Sequence, residues 1–162
     1  MTIPAFCDWL SNTSLSMAIQ NHNWVIPSVQ SVHILAIATV MASVVMLDVR
    51  LLGLNGRGQT VPEVARRFLP WVWCAVCVLA TSGTILIIGE PARELESQVF
   101  WTKMTLLACV LILTGAFQLG AFRRESFWER RRVLASVTAV ASLGLWVAIL
   151  AAGRWIAYMG HG

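Results

Sequence analysis

Charged side chains are scarce in this sequence. Asp, Glu, Lys and Arg make up 12% of the 162 residues, whereas soluble domains average about 25%. Hydrophobic residues make up 57%, and the mean hydropathy is +0.71. This composition excludes an ordinary water-soluble domain and predicts a chain that lies largely in lipid.

Cysteine is also scarce, and its placement excludes a disulfide framework. Cys74, Cys77 and Cys109 lie inside apolar segments, and Cys7 alone lies outside them. The Cys74-x-x-Cys77 spacing places two thiols on one helical face. A metal or redox centre needs thiolates, which apolar surroundings disfavour. We therefore expect small buried residues at these positions.

Long uncharged stretches are abundant. Residues 68–89, 104–122 and 133–153 carry no charge, and 25–47 hold no ionisable group except His33. A bilayer core about 30 Å thick needs roughly 20 helical residues. The sequence predicts four transmembrane helices, which are residues 25–54, 69–89, 98–122 and 133–158.

Small residues recur in all four predicted spans, and they let helix backbones approach closely. With short connections, they favour an up-and-down four-helix bundle. Residues 4–20 begin at Pro4, which suits a helix start, and their apolar side chains recur near helical spacing. The predicted class is all-α integral membrane, with an N-terminal amphipathic interfacial helix in residues 1–24 and the membrane domain in residues 25–162.

Arginine clusters in two connections, and this clustering predicts the orientation. The first cluster is Arg50, Arg57, Arg66 and Arg67; the second is Arg123, Arg124, Arg130, Arg131 and Arg132. Basic loops stay in the cytoplasm, so we expect a bacterial inner-membrane protein with both termini in the periplasm. We interpret the arginines as topology signals and expect no nucleic-acid partner. No Lys or Arg precedes the first span, so we expect that span, not a cleavable signal peptide, to direct insertion.

Three ionisable side chains fall within the outer half of the predicted bundle. His33 lies eight residues into the first span, roughly 12 Å along the helix, too deep for an imidazole to reach the headgroups. Lys103 and Arg154 lie nearer the same surface, and snorkelling is their alternative. Two cations and an imidazole without a carboxylate favour an anionic partner.

Haem b fits, with His33 on the iron and the cations on the propionates; a quinone headgroup or a lipid phosphate also fits. The structural alternative for His33 is a hydrogen bond to a serine or carbonyl on a neighbouring helix.

Two further groups of residues are candidates. Asp48 and Arg50 lie near the inner boundary, where Arg67 is an available partner for Asp48, and we expect a structural ion-pair cluster there. His22 and His161 lie near the outer surface, where imidazoles are suitable copper ligands. Only His33 is a histidine inside a span, so a haem there takes Lys103 as its second ligand or has none.

The chain resembles a bacterial family of small four-span membrane proteins of unassigned function. The resemblance rests on the ordered segments "SVHILAIATVMASVVMLDVRLLG", "VARRFLPWVW", "TSGTILI", "FWTKMTLLA" and "AAGRWIAY". More distantly, the arrangement is similar to the membrane-bound, haem-b-associated protoporphyrinogen oxidase family. That similarity implies that His33 is a haem ligand and Lys103 a functional partner of the haem. The copper-resistance D proteins have a similar span layout, which implies copper passage.

Three functions follow as hypotheses. The first is a b-type haem protein or redox-complex subunit that passes electrons between quinone and an outer partner. The second is copper transfer across the membrane through His22, His33 or His161. The third is an accessory subunit without chemistry of its own, bound to a protein partner or to further copies of itself. No catalytic residue is assigned.

Overall fold

The computed structural model describes residues 2–54, 58–123, 128 and 131–159, with the side chains of 123 and 153–159 excepted. The described ranges form seven helices and contain no strand, which confirms the all-α prediction. The helices are α1 (Ile3–Ser11), α2 (Ser14–Gln20), α3 (Val25–Leu51), α4 (Val61–Gly89), α5 (Pro91–Leu95), α6 (Gln98–Arg123) and α7 (Arg132–Met159).

Four of these helices are long and apolar enough to cross a membrane. They comprise α3, α4, residues Gln98–Phe122 of α6 and residues Arg132–Ala152 of α7. Only 17% to 33% of the residues in their most apolar stretches are buried within the protein. Large apolar side chains such as Leu35, Ile112 and Val133 point outward instead. Such surfaces belong in lipid, and the four-helix membrane bundle is confirmed.

The helix α4 begins earlier than the sequence analysis predicted, because residues 61–68 continue into the span without a break. Thr60 and Glu63 form a capping box. The Thr60 backbone N–H donates to Glu63 Oε2 over 2.7 Å, and Glu63 N–H donates to Thr60 Oγ1 over 3.4 Å. These bonds satisfy two amides that a helix start otherwise leaves without partners. Pro62 occupies the first turn, where proline costs little, and this turn is buried.

Replacing Thr60 by alanine is expected to lower the free energy of unfolding by about 1 kcal/mol, the usual effect of losing an N-cap side chain. Thr102→Ala is the matched control, because Thr102 is exposed and its hydroxyl donates only to its own helix at Gln98. Thermal unfolding of the detergent-purified variants measures the difference. An equal loss of stability in Thr60→Ala and Thr102→Ala would show that the capping box does not stabilise the fold.

The helix α3 packs against both α4 and α7, and α6 packs mainly against α7, whereas α4 and α6 touch only sparsely. The core follows these contacts. Ala65, Ala121 and Ala139 are fully buried, and their small side chains allow the close backbone approach that helix packing in lipid requires. The bundle is therefore closed around α3 and α7, and its loosest side lies between α4 and α6.

One end of the bundle is covered by α1, α2 and α5, and we call it the capped end. The opposite end, which holds Arg50, Arg66, Arg67, Arg131 and Arg132, is the basic end. The predicted single helix over residues 4–20 is two helices, because Thr13 interrupts it and caps α2 by accepting a hydrogen bond from Ser16 N–H.

The capped end is fastened to α4 by side chains of α2. Ser16 Oγ donates to the Ile88 carbonyl over 2.6 Å, and Gln20 Nε2 donates to the Gly89 carbonyl over 3.1 Å. These carbonyls belong to the last turn of α4 and accept no hydrogen bond within that helix. Gly89 allows the approach, since a Cβ there would lie 3.1 Å from Ile19 Cγ2. The N-terminal helices are therefore a docked layer of the bundle.

Candidate functional site

The imidazole of His33 lies between α3 and α4 in the half of the bundle next to the capped end. His33 Nδ1 is 2.7 Å from Ser82 Oγ. Gly83 lies beside the ring, and a Cβ at this position would make an ordinary van der Waals contact, 3.6 Å from His33 Cε1. The ring is half-buried and packs directly on α4. The predicted structural alternative, a hydrogen bond to a serine on a neighbouring helix, is present on this nitrogen.

The hydrogen bonds of Ser82 fix which nitrogen of His33 carries the proton. Ser82 Oγ donates its single hydrogen to a carbonyl of its own helix, 2.6 Å away at Val78 or 3.3 Å away at Leu79. The hydroxyl therefore accepts from His33, so the imidazole donates from Nδ1. In a neutral imidazole the lone pair then lies on Nε2. No group in the described part of the chain hydrogen-bonds Nε2, which leaves it available as a ligand or acceptor.

Lys103 is the second candidate residue that the structure brings to this place. It lies on α6, is half-buried, and is close enough to His33 for their charges to interact. Within the described ranges no carboxylate forms an ion pair with Lys103. Arg154 lies in the last turns of α7, but its side chain is outside the described residues. The described site thus combines an imidazole lone pair with an ammonium group that has no counter-ion.

The predicted outer metal ligands are not brought together in the described part. His22 is exposed in the turn between α2 and α3, and His161 lies outside the described residues. Searching the ranges 2–54, 58–123 and 131–159 gives no cluster of three or more His, Cys, Asp or Glu side chains suited to a metal ion. The expected burial of Cys74 and Cys77 is wrong: both thiols are exposed on the lipid-facing surface, because α4 buries Val72 and Ala75 instead.

The predicted ion pair between Asp48 and Arg67 is not formed. Asp48 is 3% exposed and faces α6 and α7, where Ser142 is a hydrogen-bond partner of its carboxyl group. Arg67 lies on the exposed face of α4 with its guanidinium over the Phe68 ring. The two side chains point away from each other because Asp48 lies on the inward face of α3. Arg50 instead donates from Nε to the Gln59 carbonyl over 2.7 Å and so braces the connection to α4.

Ser82 as the partner of His33 and Ser142 as the partner of Asp48 were not predicted from the sequence. Both are small polar residues inside apolar spans, where the sequence predicts only close helix packing. The feature that could have indicated them is chemical: a serine hydroxyl inside a span can form one of the hydrogen bonds that an ionisable side chain in lipid requires.

The comparison with known proteins identifies the family. A model described as a family of unknown function (DUF6644) matches residues 6–159. No curated protein and no solved structure matches the chain, so the more distant similarity to haem and copper proteins stays a prediction. Since the match extends from α1 to the end of α7, the chain belongs to the DUF6644 family.

Proposed function

We propose that this protein is a membrane b-type haem protein, or the haem-binding subunit of a redox complex, that passes electrons in the half of the bilayer next to the capped end. The observation that carries this proposal is the tautomer of His33. Its Nδ1–H donates to Ser82, and its Nε2 lone pair has no partner in the described ranges. Histidines that ligate metals are held in this way, with the second nitrogen fixed by a hydrogen bond.

The residues at this site fit a haem b on two counts. His33 would offer the iron a nitrogen in a fixed orientation, and Lys103 is a cation that pairs with no carboxylate in the described ranges. The propionates of a haem are anions that such a cation binds, and Arg154 is the proposed partner of the second propionate. When bound, the haem supplies a one-electron redox centre. Ser82 would hold the imidazole in place. Lys103 would have one of two roles: as an ammonium group it would pair with a propionate, or as a neutral amine it would be the second ligand of the iron.

The proposed orientation follows from the arginines. The basic end faces the cytoplasm of a bacterial cell and the capped end faces the periplasm. His33 then lies on the periplasmic side, where a quinone in the membrane and a protein partner outside it are both within reach. The outward-pointing apolar side chains of α1 and α2, including Phe6 and Trp9, support a position of this layer at the lipid headgroups. A protein partner or a second copy of the chain completes the complex.

The test is an absorption spectrum of wild-type protein produced with ample haem and purified in detergent. We expect a Soret band and an α-band that sharpens on reduction with dithionite. A flat spectrum would refute the haem proposal. Bound copper without porphyrin would then support copper transfer through His22, His33 and His161. Absence of both would support a non-catalytic accessory subunit.

A further inference from the structure

A second site lies in the half of the bundle next to the basic end, around Asp48. The Asp48 side chain is 3% exposed, and its Oδ2 atom has no hydrogen-bond partner among the described residues. It lines a small crevice between α3, α6 and α7, together with Thr114, Thr138 and Ser142. The crevice offers about 20 Å³ to a water-sized molecule, and one water needs about 10 to 15 Å³. The crevice therefore has room for a water molecule beside the carboxyl group.

The polar groups around the crevice supply too few hydrogens. Thr114 Oγ1 donates to the Val110 carbonyl over 2.8 Å, and Thr138 Oγ1 donates to the Leu134 carbonyl over 2.9 Å. A hydroxyl has one hydrogen, so neither threonine donates to Asp48. The Ser142 hydroxyl interacts with the carboxyl group, and Oδ2 still lacks a donor. Burying an acceptor without a donor is unfavourable, and more so when the acceptor is charged.

In the part of the chain that the structure describes, no cation forms an ion pair with the Asp48 carboxyl group. The residues that face it from α3, α6 and α7 are apolar or hydroxyl-bearing, and the crevice is lined by no Lys, Arg or His. On α4, which packs against the other side of α3, Arg66 and Arg67 are exposed. Arg50 donates to the Gln59 carbonyl at the helix end. An isolated carboxylate in such surroundings is strongly disfavoured unless a positive charge joins it.

We propose that Asp48 and the crevice form a proton-binding site inside the membrane, in which the carboxyl group carries a proton on Oδ2 and hydrogen-bonds one water. The step is a simple protonation: an O–H bond forms at Oδ2 and no other bond breaks. The proton supplies the missing donor and removes the uncompensated charge. Asp48 is fifteen residues from His33 along α3, roughly 22 Å at 1.5 Å per residue. The site therefore stands independently of the proposed haem site.

The test is infrared spectroscopy of the purified protein at neutral pH. We expect a carbonyl band of a protonated carboxyl group that shifts in deuterium oxide and is absent from Asp48→Asn. Asp8→Asn is the matched control, because Asp8 is exposed on α1, and this variant keeps the band. Absence of the band in wild-type protein would overturn the proposal. So would loss of the band when choline chloride is replaced by sodium chloride, because the site would then hold a sodium ion.

Two further measurements keep the test decisive if Asp48→Asn does not fold. The carbonyl band of the wild-type protein is expected to disappear as the pH is raised, because Asp48 loses its proton. A band that persists at every pH, or one that never appears, would contradict proton binding and release by Asp48. Ser142→Ala removes the neutral hydrogen-bond partner and keeps the carboxyl group. It is expected to move the frequency of the band without abolishing it, whereas an unchanged frequency would assign the band to another carboxyl group.

Discussion

Replacing His33 by alanine is expected to abolish the haem absorbance of the purified protein while the bundle stays folded. His33 contributes the one imidazole lone pair that lies inside the described membrane helices, and its ring is half-buried beside Gly83 rather than in the fully buried core. Loss of the ring therefore removes the proposed ligand at modest cost to packing. The measurement is haem bound per protein, from the Soret band and from extracted haem, together with the elution volume in size-exclusion chromatography.

The matched control is His22→Ala, because His22 is exposed in the turn before α3. This variant is expected to keep the full Soret band. Ser82→Ala keeps the ligand but removes the acceptor that orients it, and we expect haem affinity to fall by roughly 10- to 100-fold, as for other groups that orient metal ligands. A Soret band that survives in His33→Ala, or that falls equally in His22→Ala, would exclude His33 as the axial ligand.

Replacing Gly120 by valine is expected to lower the free energy of unfolding by about 1 to 3 kcal/mol, the usual cost of overpacking a filled core. A Cβ at Gly120 would lie 3.0 Å from Trp128 Cζ2 and 3.2 Å from Trp128 Cε2. The indole is 7% exposed, and its ring centroid is 5.2 Å from that of Phe117. The added side chain therefore requires the buried indole or α6 to move from its packed position.

Gly115→Val is the control for this substitution. Gly115 lies on the same helix, and a Cβ there would meet no atom within 4 Å. Both variants change the intrinsic helix propensity by the same amount, so the difference in their unfolding temperatures isolates the contact with Trp128. If Gly115→Val is destabilised as much as Gly120→Val, the effect comes from the helix itself and the close contact carries no cost.

The four spans could be predicted from the sequence because lipid excludes charge along whole helical segments. Long uncharged stretches therefore mark the spans directly, and the end of α4 at Gly89 agreed with the prediction. The start of α4 did not, although the Thr60-x-x-Glu63 pattern is local and was available. The division between α1 and α2 is not evident in the apolar spacing, because that spacing continues across Thr13, whose backbone is extended and whose side chain caps α2.

The candidate site could be predicted only in part. The depth of His33 follows from its distance to the start of the span, so its importance was accessible from the sequence. Its partner Ser82 depends on the register of α3 against α4, which residue spacing within one helix does not determine. Asp48 was assigned to Arg67 because that cation was available at the same end. The rotation of α3 about its own axis turns the carboxyl group toward α7 and Ser142 instead.

The fastening of α2 to the end of α4 has a consequence for biogenesis. Ser16 and its acceptor Ile88 are separated by 72 residues. At a synthesis rate of about 5 to 20 residues per second, the ribosome needs roughly 4 to 14 s to make the chain between them. During that interval α1 and α2 exist without their docking surface, and their apolar side chains have only the membrane surface to cover them. The N-terminal layer is therefore synthesised early but docks late. Docking requires that α4 has been made and that its last carbonyls lie at the same membrane surface as α2.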